Sequence, residues 1–236
     1  MIEYRPFDSL GGANHGWLNA KHHFSFAHYH DPERVNWGAL RVWNDDIIQP
    51  GTGFAPHPHA DMEIITYVRE GAITHRDDLG NQGRTIAGDV QVMSAGTGIR
   101  HSEYNVESTI TRIFQIWILP NQHGQPPSWG TKPFPKHGRV NRFVPLASGF
   151  EADEDALPIR SDARVLGATV RAGETVEYQF SDAHRYGYLV PAVGTIEING
   201  IRLSTGDGVA IHNENIVRIT AHADAELILV DAAAHH

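Results

Sequence analysis

The chain has 236 residues, of which 41% are hydrophobic and 20% charged, and a formal net charge of -9 at pH 7. This composition is typical of a globular protein with one or two domains, and the acidic balance argues against a general nucleic-acid binder, which needs clustered Lys and Arg. Because the chain contains no cysteine, it forms neither disulfides nor thiolate metal ligands, which fits the reducing cytoplasm.

No secretory signal and no membrane-spanning segment are expected from the sequence. Residues 1–6 contain no basic region followed by an apolar run, so no secretory signal is expected. No stretch approaches the roughly 18 apolar residues of a membrane span. His235 and His236 follow three alanines; we interpret them as a tag remnant without function. The sequence therefore predicts a cytoplasmic protein with no membrane partner.

Short strands separated by turns are predicted along the chain. Residues 63–69, 88–93 and 110–119 are rich in β-branched and aromatic residues and predict strands. Clusters of Gly, Asn, Asp and Ser at 77–81 and 94–98 predict turns. Since no long stretch has the period of an amphipathic helix, the pattern predicts an all-β protein built from antiparallel sandwiches or barrels.

Two short segments within this part of the chain carry the strongest functional signal. His57 and His59 form one i, i+2 pair, and His101 and Glu103 form another. Side chains two positions apart in a strand point to the same face. Two such pairs on facing strands would surround one point with three imidazoles and a carboxylate. This set suits a divalent transition metal in a site that is left open for chemistry.

A single His-x-His pair is a weak indication, because two strand histidines can simply hydrogen-bond to the backbone. Here each pair follows a Gly-rich turn and the two lie symmetrically about one hairpin, which favours the metal. Glu63 would share the face of His59 in a regular strand. It could be a fifth ligand, an acceptor that fixes a histidine tautomer, or an edge carboxylate, and the last two roles are favoured. Asn105 continues the face of Glu103 and could support a ligand.

Other attractive fragments are interpreted as structural. Residues 75–77 (His-Arg-Asp) echo a kinase catalytic loop, but without a phosphate-binding glycine loop a charged cluster beside a turn is favoured. Trp17, Phe24 and Phe26 are expected in the core and not in a substrate platform. The histidines of the N-terminal segment are more often surface or capping residues and are left out of the site: His15, His22, His23, His28 and His30.

A change of composition follows the strand that ends near Leu119. Residues 120–135 contain five prolines and cannot form a central strand. We interpret this segment as a crossover between two halves that packs on the surface. The sequence therefore predicts an N-terminal, metal-binding domain at residues 1–135 and a C-terminal domain at residues 136–236.

The second half repeats the first in weakened form. The strand that ends at Gly71 corresponds to the strand that ends at Gly194, and in each half a Gly-Asp pair opens a later strand. The positions of the second half that correspond to the histidine candidates are Phe180, Asp182 and Ile219. The ligand set is absent there, so the second half is predicted to copy the scaffold without the metal site.

These residues together resemble a known superfamily, the cupins, and within it the pirin family. Residues 51–71 are similar to the first cupin motif and residues 88–105 to the second. One extra residue separates Glu63 from Gly71, and two extra residues precede His101; both departures are typical of pirins. The resemblance is dense over residues 10–120 and points to bacterial pirin-like proteins of the quercetin dioxygenase type.

The resemblance implies a bicupin of two antiparallel β-barrels (jelly rolls), with a metal in the N-terminal barrel alone. It implies His57, His59, His101 and Glu103 as ligands, and in pirins the glutamate at the position of Glu63 is generally not one. Iron is the first expectation for the metal, with nickel, manganese, cobalt, copper and zinc as alternatives.

The resemblance also implies two functions of different kinds. The first is a metal-dependent quercetin 2,3-dioxygenase that acts with dioxygen on quercetin or a related flavonol, with Glu103 as the base for the flavonol 3-hydroxyl. The alternative is a metal-responsive protein that regulates a protein partner, as eukaryotic pirins do in transcription. A cupin hydrolase or isomerase with another substrate is a third candidate. No direct contact with nucleic acid is expected, and the internal duplication favours a monomer.

Overall fold

A computed structural model describes residues 1–235 of the chain; His236, one of the two histidines interpreted as a tag remnant, lies outside it. The described residues form 22 β-strands and two short 3-10 helices, Phe7–Ser9 and Lys136–Arg139. The strands are β1 (Ile2–Arg5), β2 (Gly11–Asn14), β3 (Leu18–His22), β4 (Leu40–Ile48), β5 (Thr52–His59), β6 (Glu63–Glu70), β7 (Ala72–Asp77), β8 (Gln82–Ile86), β9 (Val90–Ser94), β10 (Ile99–Asn105), β11 (Thr111–Ile118), β12 (Ser128–Lys132), β13 (Val144–Ser148), β14 (Leu157–Pro158), β15 (Ala163–Val170), β16 (Thr175–Gln179), β17 (Tyr186–Val193), β18 (Thr195–Ile198), β19 (Ile201–Ser204), β20 (Gly208–His212), β21 (Ile216–Ala221) and β22 (Ala225–Ala232).

The strands form two barrels of the same design. In the N-terminal barrel, a seven-stranded sheet of order β12-β9-β6-β11-β4-β3-β2 accompanies a four-stranded sheet of order β5-β10-β7-β8. In the C-terminal barrel, the orders are β1-β20-β17-β22-β15-β13-β14 and β16-β21-β18-β19. Nearly all neighbouring strands are antiparallel; β13 and β14 pair in parallel. The predicted all-β, two-barrel fold is therefore confirmed, and the strand orders make the repeat explicit, since β5 and β10 correspond to β16 and β21.

The two barrels pack through their seven-stranded sheets. One continuous apolar core contains Trp43 and Phe114 from the N-terminal sheet together with Val165, Tyr188 and Ile228 from the C-terminal sheet. Alternation along each strand explains this arrangement, because one face of each sheet points to the partner barrel and the other points into its own barrel.

The interiors of the two barrels differ in chemistry. The C-terminal barrel is filled by an apolar cluster that includes Phe180 and Ile219, two of the positions that correspond to the histidine candidates. The N-terminal barrel instead contains a buried polar layer, which we define as Thr66, Gln91, Glu103 and Gln115. A packed apolar interior leaves no room for a metal centre, whereas the polar layer provides donors and acceptors for one.

The proline-rich segment is anchored and does not hang free. It forms β12, which lies at the edge of its sheet beside β9, the position in which nearby prolines are tolerated. The 3-10 helix that follows carries the buried Arg139, whose Nη2 donates to the hydroxyl of Tyr67 at 2.9 Å. The division of the chain at residue 135 stays a prediction. Strand β1 pairs with β20, so the first residues of the chain contribute to the C-terminal barrel.

Between residues 1 and 235 the structure has no helix with the length and hydrophobicity that a bilayer crossing requires.

Candidate metal centre

Strands β5 and β10 place the three candidate histidines. The two strands are antiparallel, with His101 opposite His57 and Ile99 opposite His59. Because β5 is an edge strand, it accommodates Pro56 and Pro58, which alternate with the histidines. The two-residue periodicity therefore brings His57 and His59 to one face, and cross-strand pairing adds His101 to it.

The side chains of His57, His59 and His101 converge, and their ligand atoms all lie within 4.8 Å of one another. Nε2 of His57 lies 3.0 Å from Nε2 of His101. This separation equals the distance of about 3.0 Å between two nitrogens that bind one ion at right angles to each other, each about 2.1 Å from the ion. Nδ1 of His57 donates to the carbonyl of Ala55 at 2.7 Å, which leaves Nε2 of His57 unprotonated. The residues present thus fit a transition metal.

The electrostatic surroundings favour the neutral form of two of these imidazoles, His59 and His101. Burial, with a smaller contribution from His57, lowers the pKa of His59 to about 4. Burial also lowers the pKa of His101, and His57, His59 and His75 lower it further. A neutral imidazole is the form that binds a metal ion, so both side chains are in the ligand form at neutral pH.

Glu103 lies deeper in the barrel, and among residues 1–235 no carboxylate joins the group of three histidines. Its Oε1 accepts from Nε2 of Gln91 at 2.6 Å and from Oγ1 of Thr66 at 3.3 Å, and its Oε2 accepts from Nε2 of Gln115 at 2.9 Å. Burial raises the pKa of Glu103 to about 7, although the three hydrogen bonds act in the opposite direction and lower it. Ligation by Glu103 stays a prediction, since its carboxylate is held by the polar layer in this structure.

Two other residues predicted near the ligands have partners elsewhere. Strand β5 ends at His59, and Asp61 with a φ of 42° redirects the chain before Glu63 begins β6 in the other sheet. A regular strand from His59 to Glu63, the condition under which the two side chains would share a face, is therefore not present. The Glu63 carboxylate accepts from Oγ of Ser94 at 2.6 Å and from the backbone of Arg160.

Asn105 closes a turn and does not support a ligand. Its Nδ2 donates to the carbonyls of Ile48 at 3.0 Å and Thr109 at 2.8 Å, and its Oδ1 accepts from the backbone of Glu107 at 3.0 Å.

A pair that the sequence interpretation set aside lies next to His101, one of the three candidate ligands. Nδ1 of His75 lies 3.4 Å from Nδ1 of His101, and Nε2 of His75 lies 2.8 Å from Oδ2 of Asp77. Burial lowers the pKa of His75, and the contact with Asp77 opposes that shift. His75 and Asp77 are themselves an i, i+2 pair on β7, which pairs with β10. The spacing rule that found the ligands could therefore have found this pair too.

Aromatic rings lie beside two of the candidate ligands. Trp117 contacts His59 edge to face at 5.0 Å between ring centroids, and Phe26 contacts Trp117 at 5.4 Å. Phe54 lies between Trp17 at 5.2 Å and His57 at 6.3 Å. Trp17 is half-buried and packs against an apolar cluster of this barrel, whereas Phe26 is half-buried against Trp117. Phe24 is fully buried, as expected.

The N-terminal histidines divide into two groups, and among the described residues none belongs to the convergent three. His15, His28 and His30 are exposed, which matches the expectation of surface residues. His22 and His23 are buried instead, where Nδ1 of His22 contacts Oδ1 of Asn44 at 2.8 Å and Nδ1 of His23 contacts the hydroxyl of Tyr188 at 2.8 Å.

Asp46 is a further buried carboxyl of this barrel, and it gives a testable pH dependence. Burial raises its pKa well above the usual value, and the nearby charges of Asp45 and Glu103 raise it further. The folded state disfavours the Asp46 carboxylate, so wild-type stability falls as the pH rises through the raised pKa. The Asp46→Asn variant has no ionisable group at this position, so its stability does not fall for this reason.

We therefore expect the difference in Tm between Asp46→Asn and the wild type to become more positive from pH 4 to pH 8. Each kcal/mol corresponds to about 2–4 °C for a chain of this size. Thermal unfolding of the metal-free proteins measures it, with the exposed Asp8→Asn as the matched control. A difference that is constant across this pH range would contradict the assignment.

Two barrels of matched strand order, one packed with apolar side chains and one with three convergent histidines, define a two-domain cupin. Comparison with known proteins agrees with this class. The family model for pirin matches residues 4–118, and the model for the quercetinase C-terminal cupin domain matches residues 146–232.

The chain belongs to the pirin family. It is 68% identical over 233 residues to a pirin-like protein of Caulobacter vibrioides, and the alignment covers 99% of this chain and 100% of the Caulobacter protein. It is 42% identical over 233 residues to the quercetin 2,3-dioxygenase of Escherichia coli K12, with 98% of each chain covered. The crystal structure of the bacterial pirin YhhW from Escherichia coli in complex with nickel(II) superposes with a TM-score of 0.92 at 40% identity, over 100% of both chains.

Proposed function

We propose that this protein is a metal-dependent dioxygenase that cleaves quercetin or a related flavonol. The observation that carries the proposal is the convergence of His57, His59 and His101 within 4.8 Å beside a set of half-buried aromatic rings. The relative that is named quercetin 2,3-dioxygenase supports it. The complete ligand set that we propose is these three histidines together with Glu103.

The residues divide the work between binding and proton transfer. A divalent metal held by the histidines would supply Lewis acidity and orient the reactants. The rings of Trp117, Phe26 and Phe54 offer faces and edges to a flat flavonol and exclude water from one side of it. The overall reaction consumes one dioxygen and releases carbon monoxide and a depside ester.

Glu103 is the proposed base for the flavonol 3-hydroxyl. Its Oε1 accepts two hydrogen bonds in the polar layer, whereas Oε2 accepts one, from Gln115. Nε1 of Trp117 donates to Oε1 of Gln115 at 3.2 Å, so the orientation of the Gln115 amide is fixed from the aromatic side. Oε2 of Glu103 therefore has the freer lone pair, and we assign the proton transfer to this atom.

Reloading the protein with single metals tests the proposal. Metal-free protein is loaded in turn with Fe, Ni, Mn, Co, Cu and Zn, the metal content is measured by elemental analysis, and quercetin loss is followed with and without dioxygen. We expect one metal per chain, with iron as our expectation for the native ion, and turnover that needs both the metal and dioxygen. If the protein binds one ion per chain but turns over no quercetin with any of the metals, the proposed dioxygenase activity is overturned, whereas the proposed metal centre is retained.

The cellular setting of this activity is part of the proposal. The absence of cysteine fits a reducing cytoplasm, and the substrates would be a small flavonol-like molecule and dioxygen. In the case of metal binding without turnover, the regulatory alternative predicts a stoichiometric protein partner that is recovered in one metal state alone.

A further inference from the structure

We infer that Asp77 and His75 form a relay that positions His101 and sets its tautomer for metal binding. The inference rests on the proposed metal centre and assigns a function to two residues beyond it. The contacts run in one line, from Oδ2 of Asp77 to Nε2 of His75 at 2.8 Å, and from Nδ1 of His75 to Nδ1 of His101 at 3.4 Å. His101 then points its Nε2 toward Nε2 of His57 at 3.0 Å.

The tautomers along this line are fixed by elementary hydrogen-bond chemistry. A carboxylate only accepts, so Nε2 of His75 carries the hydrogen that it donates to Asp77. A neutral imidazole that donates from Nε2 accepts at Nδ1. His101 must therefore donate from its own Nδ1, which leaves its Nε2 unprotonated. The relay presents the His101 nitrogen that faces the other ligands in the form that binds a metal ion.

Both members of the relay are held in place by the surrounding structure. The ring of His75 is fully buried and stacks on Trp129, with 4.7 Å between centroids and 8° between planes. Gly83, which pairs with His75, leaves the space that Trp129 fills, because a Cβ there would lie 2.2 Å from that ring. Rotation of His75 is therefore blocked on the side of Trp129.

The turn after β7 fixes the carboxylate of Asp77. Its Oδ1 accepts from the backbone amides of Leu79 at 3.0 Å and Asn81 at 2.9 Å. These two amides hold Oδ1, so Oδ2 is aimed at His75. Nδ2 of Asn81 also donates to Oδ2 at 2.9 Å. His57 differs from His101 in this respect, since its Nδ1 donates to a nearby backbone carbonyl and not to an imidazole–carboxylate pair.

Asp77→Asn is the sharpest variant because it keeps the shape and reverses the chemistry. The backbone amides of Leu79 and Asn81 would retain the amide oxygen, so the amide NH₂ would face Nε2 of His75. His75 would then carry its hydrogen on Nδ1, opposite the Nδ1 hydrogen of His101. Titration of metal-free protein with NiCl₂ by calorimetry is expected to give a Kd about 10- to 100-fold weaker than in the wild type.

Two substitutions of His75 separate positioning from packing. His75→Leu fills the space beside Trp129 but removes the acceptor, and it is expected to weaken nickel binding as Asp77→Asn does. His75→Gln offers an amide oxygen to Nδ1 of His101 and is expected to restore most of the affinity. Asp78→Asn is the matched control: it makes the same change of carboxylate to amide at an exposed residue of the same turn. The amide oxygen can still accept from the backbone amide of Arg100, so this variant should bind nickel with a Kd near that of the wild type.

A spectroscopic measurement completes the test. In the metal-free wild type, the nitrogen-15 shifts of His101 should show a protonated Nδ1 and an unprotonated Nε2, and in metal-free Asp77→Asn this tautomer should be lost. Equal nickel affinities in the wild type, Asp77→Asn and His75→Leu would overturn the relay, but this result would be consistent with the proposed metal centre. Failure of the wild type to bind nickel at one ion per chain would overturn the proposed metal centre, and the relay with it.

Discussion

Glu103→Gln is expected to retain part of the metal and to lose most of the quercetin turnover, with kcat per bound metal falling about 10²- to 10⁴-fold. The amide has nearly the same shape as the carboxylate but cannot take a proton from the flavonol hydroxyl. Elemental analysis, together with quercetin consumption normalised to metal content, measures both quantities on one preparation. Near-normal turnover per metal would remove Glu103 as the base.

A second buried glutamate of the same barrel provides the matched control. Glu63 is as buried as Glu103, but its carboxylate is held by Ser94 and by the backbone of Arg160. Glu63→Gln therefore repeats the chemical change and the burial at a position outside the site. Its turnover per bound metal should remain near that of the wild type, and its Tm reports how much of any loss comes from general destabilisation.

His101→Ala is expected to abolish stoichiometric metal binding. His101 is the most buried of the three histidines, and it joins His57 on one side to His75 on the other. Removing a ligand should cost more than the loss of a supporting hydrogen bond, so the Kd for nickel should rise by more than about 10²-fold. Elemental analysis and calorimetry measure the loss.

His137→Ala repeats the substitution at an exposed histidine outside the candidate ligand set, in the 3-10 helix that follows the crossover, and this variant should retain the metal content of the wild type. Unchanged metal content in His101→Ala would contradict the assignment of His101 as a ligand and therefore the proposed ligand set.

The sequence could predict the features of this protein that follow from short-range periodicity. His57, His59 and His101 were found because strand alternation and one antiparallel pairing suffice to bring them together. The same logic failed for Glu63, since a single left-handed residue, Asp61, breaks the strand. No two-residue rule contains a conformational break of this kind.

Other features depend on pairings that no local pattern encodes. The position of the Glu103 carboxylate is decided by donors on β6, β9 and β11, which the sequence alone does not align. The His75–Asp77 pair was visible as a spacing but was interpreted as a charged cluster beside a turn, because the burial of His75 depends on Trp129 from the proline-rich crossover. The aromatic border of the site likewise combines residues from the N-terminal segment, β5 and β11.

The pairing of β1 with β20 imposes an order of events on biosynthesis. Arg5 lies opposite Gly208, so β1 can pair with β20 only after about 200 further residues have been synthesised. At about 5–20 residues per second, this interval is about 10–40 s. The N-terminal barrel can close during that time, whereas β1 stays without its partner strand until β20 has been synthesised. The half that contains the three convergent histidines can therefore fold before the C-terminal barrel is complete.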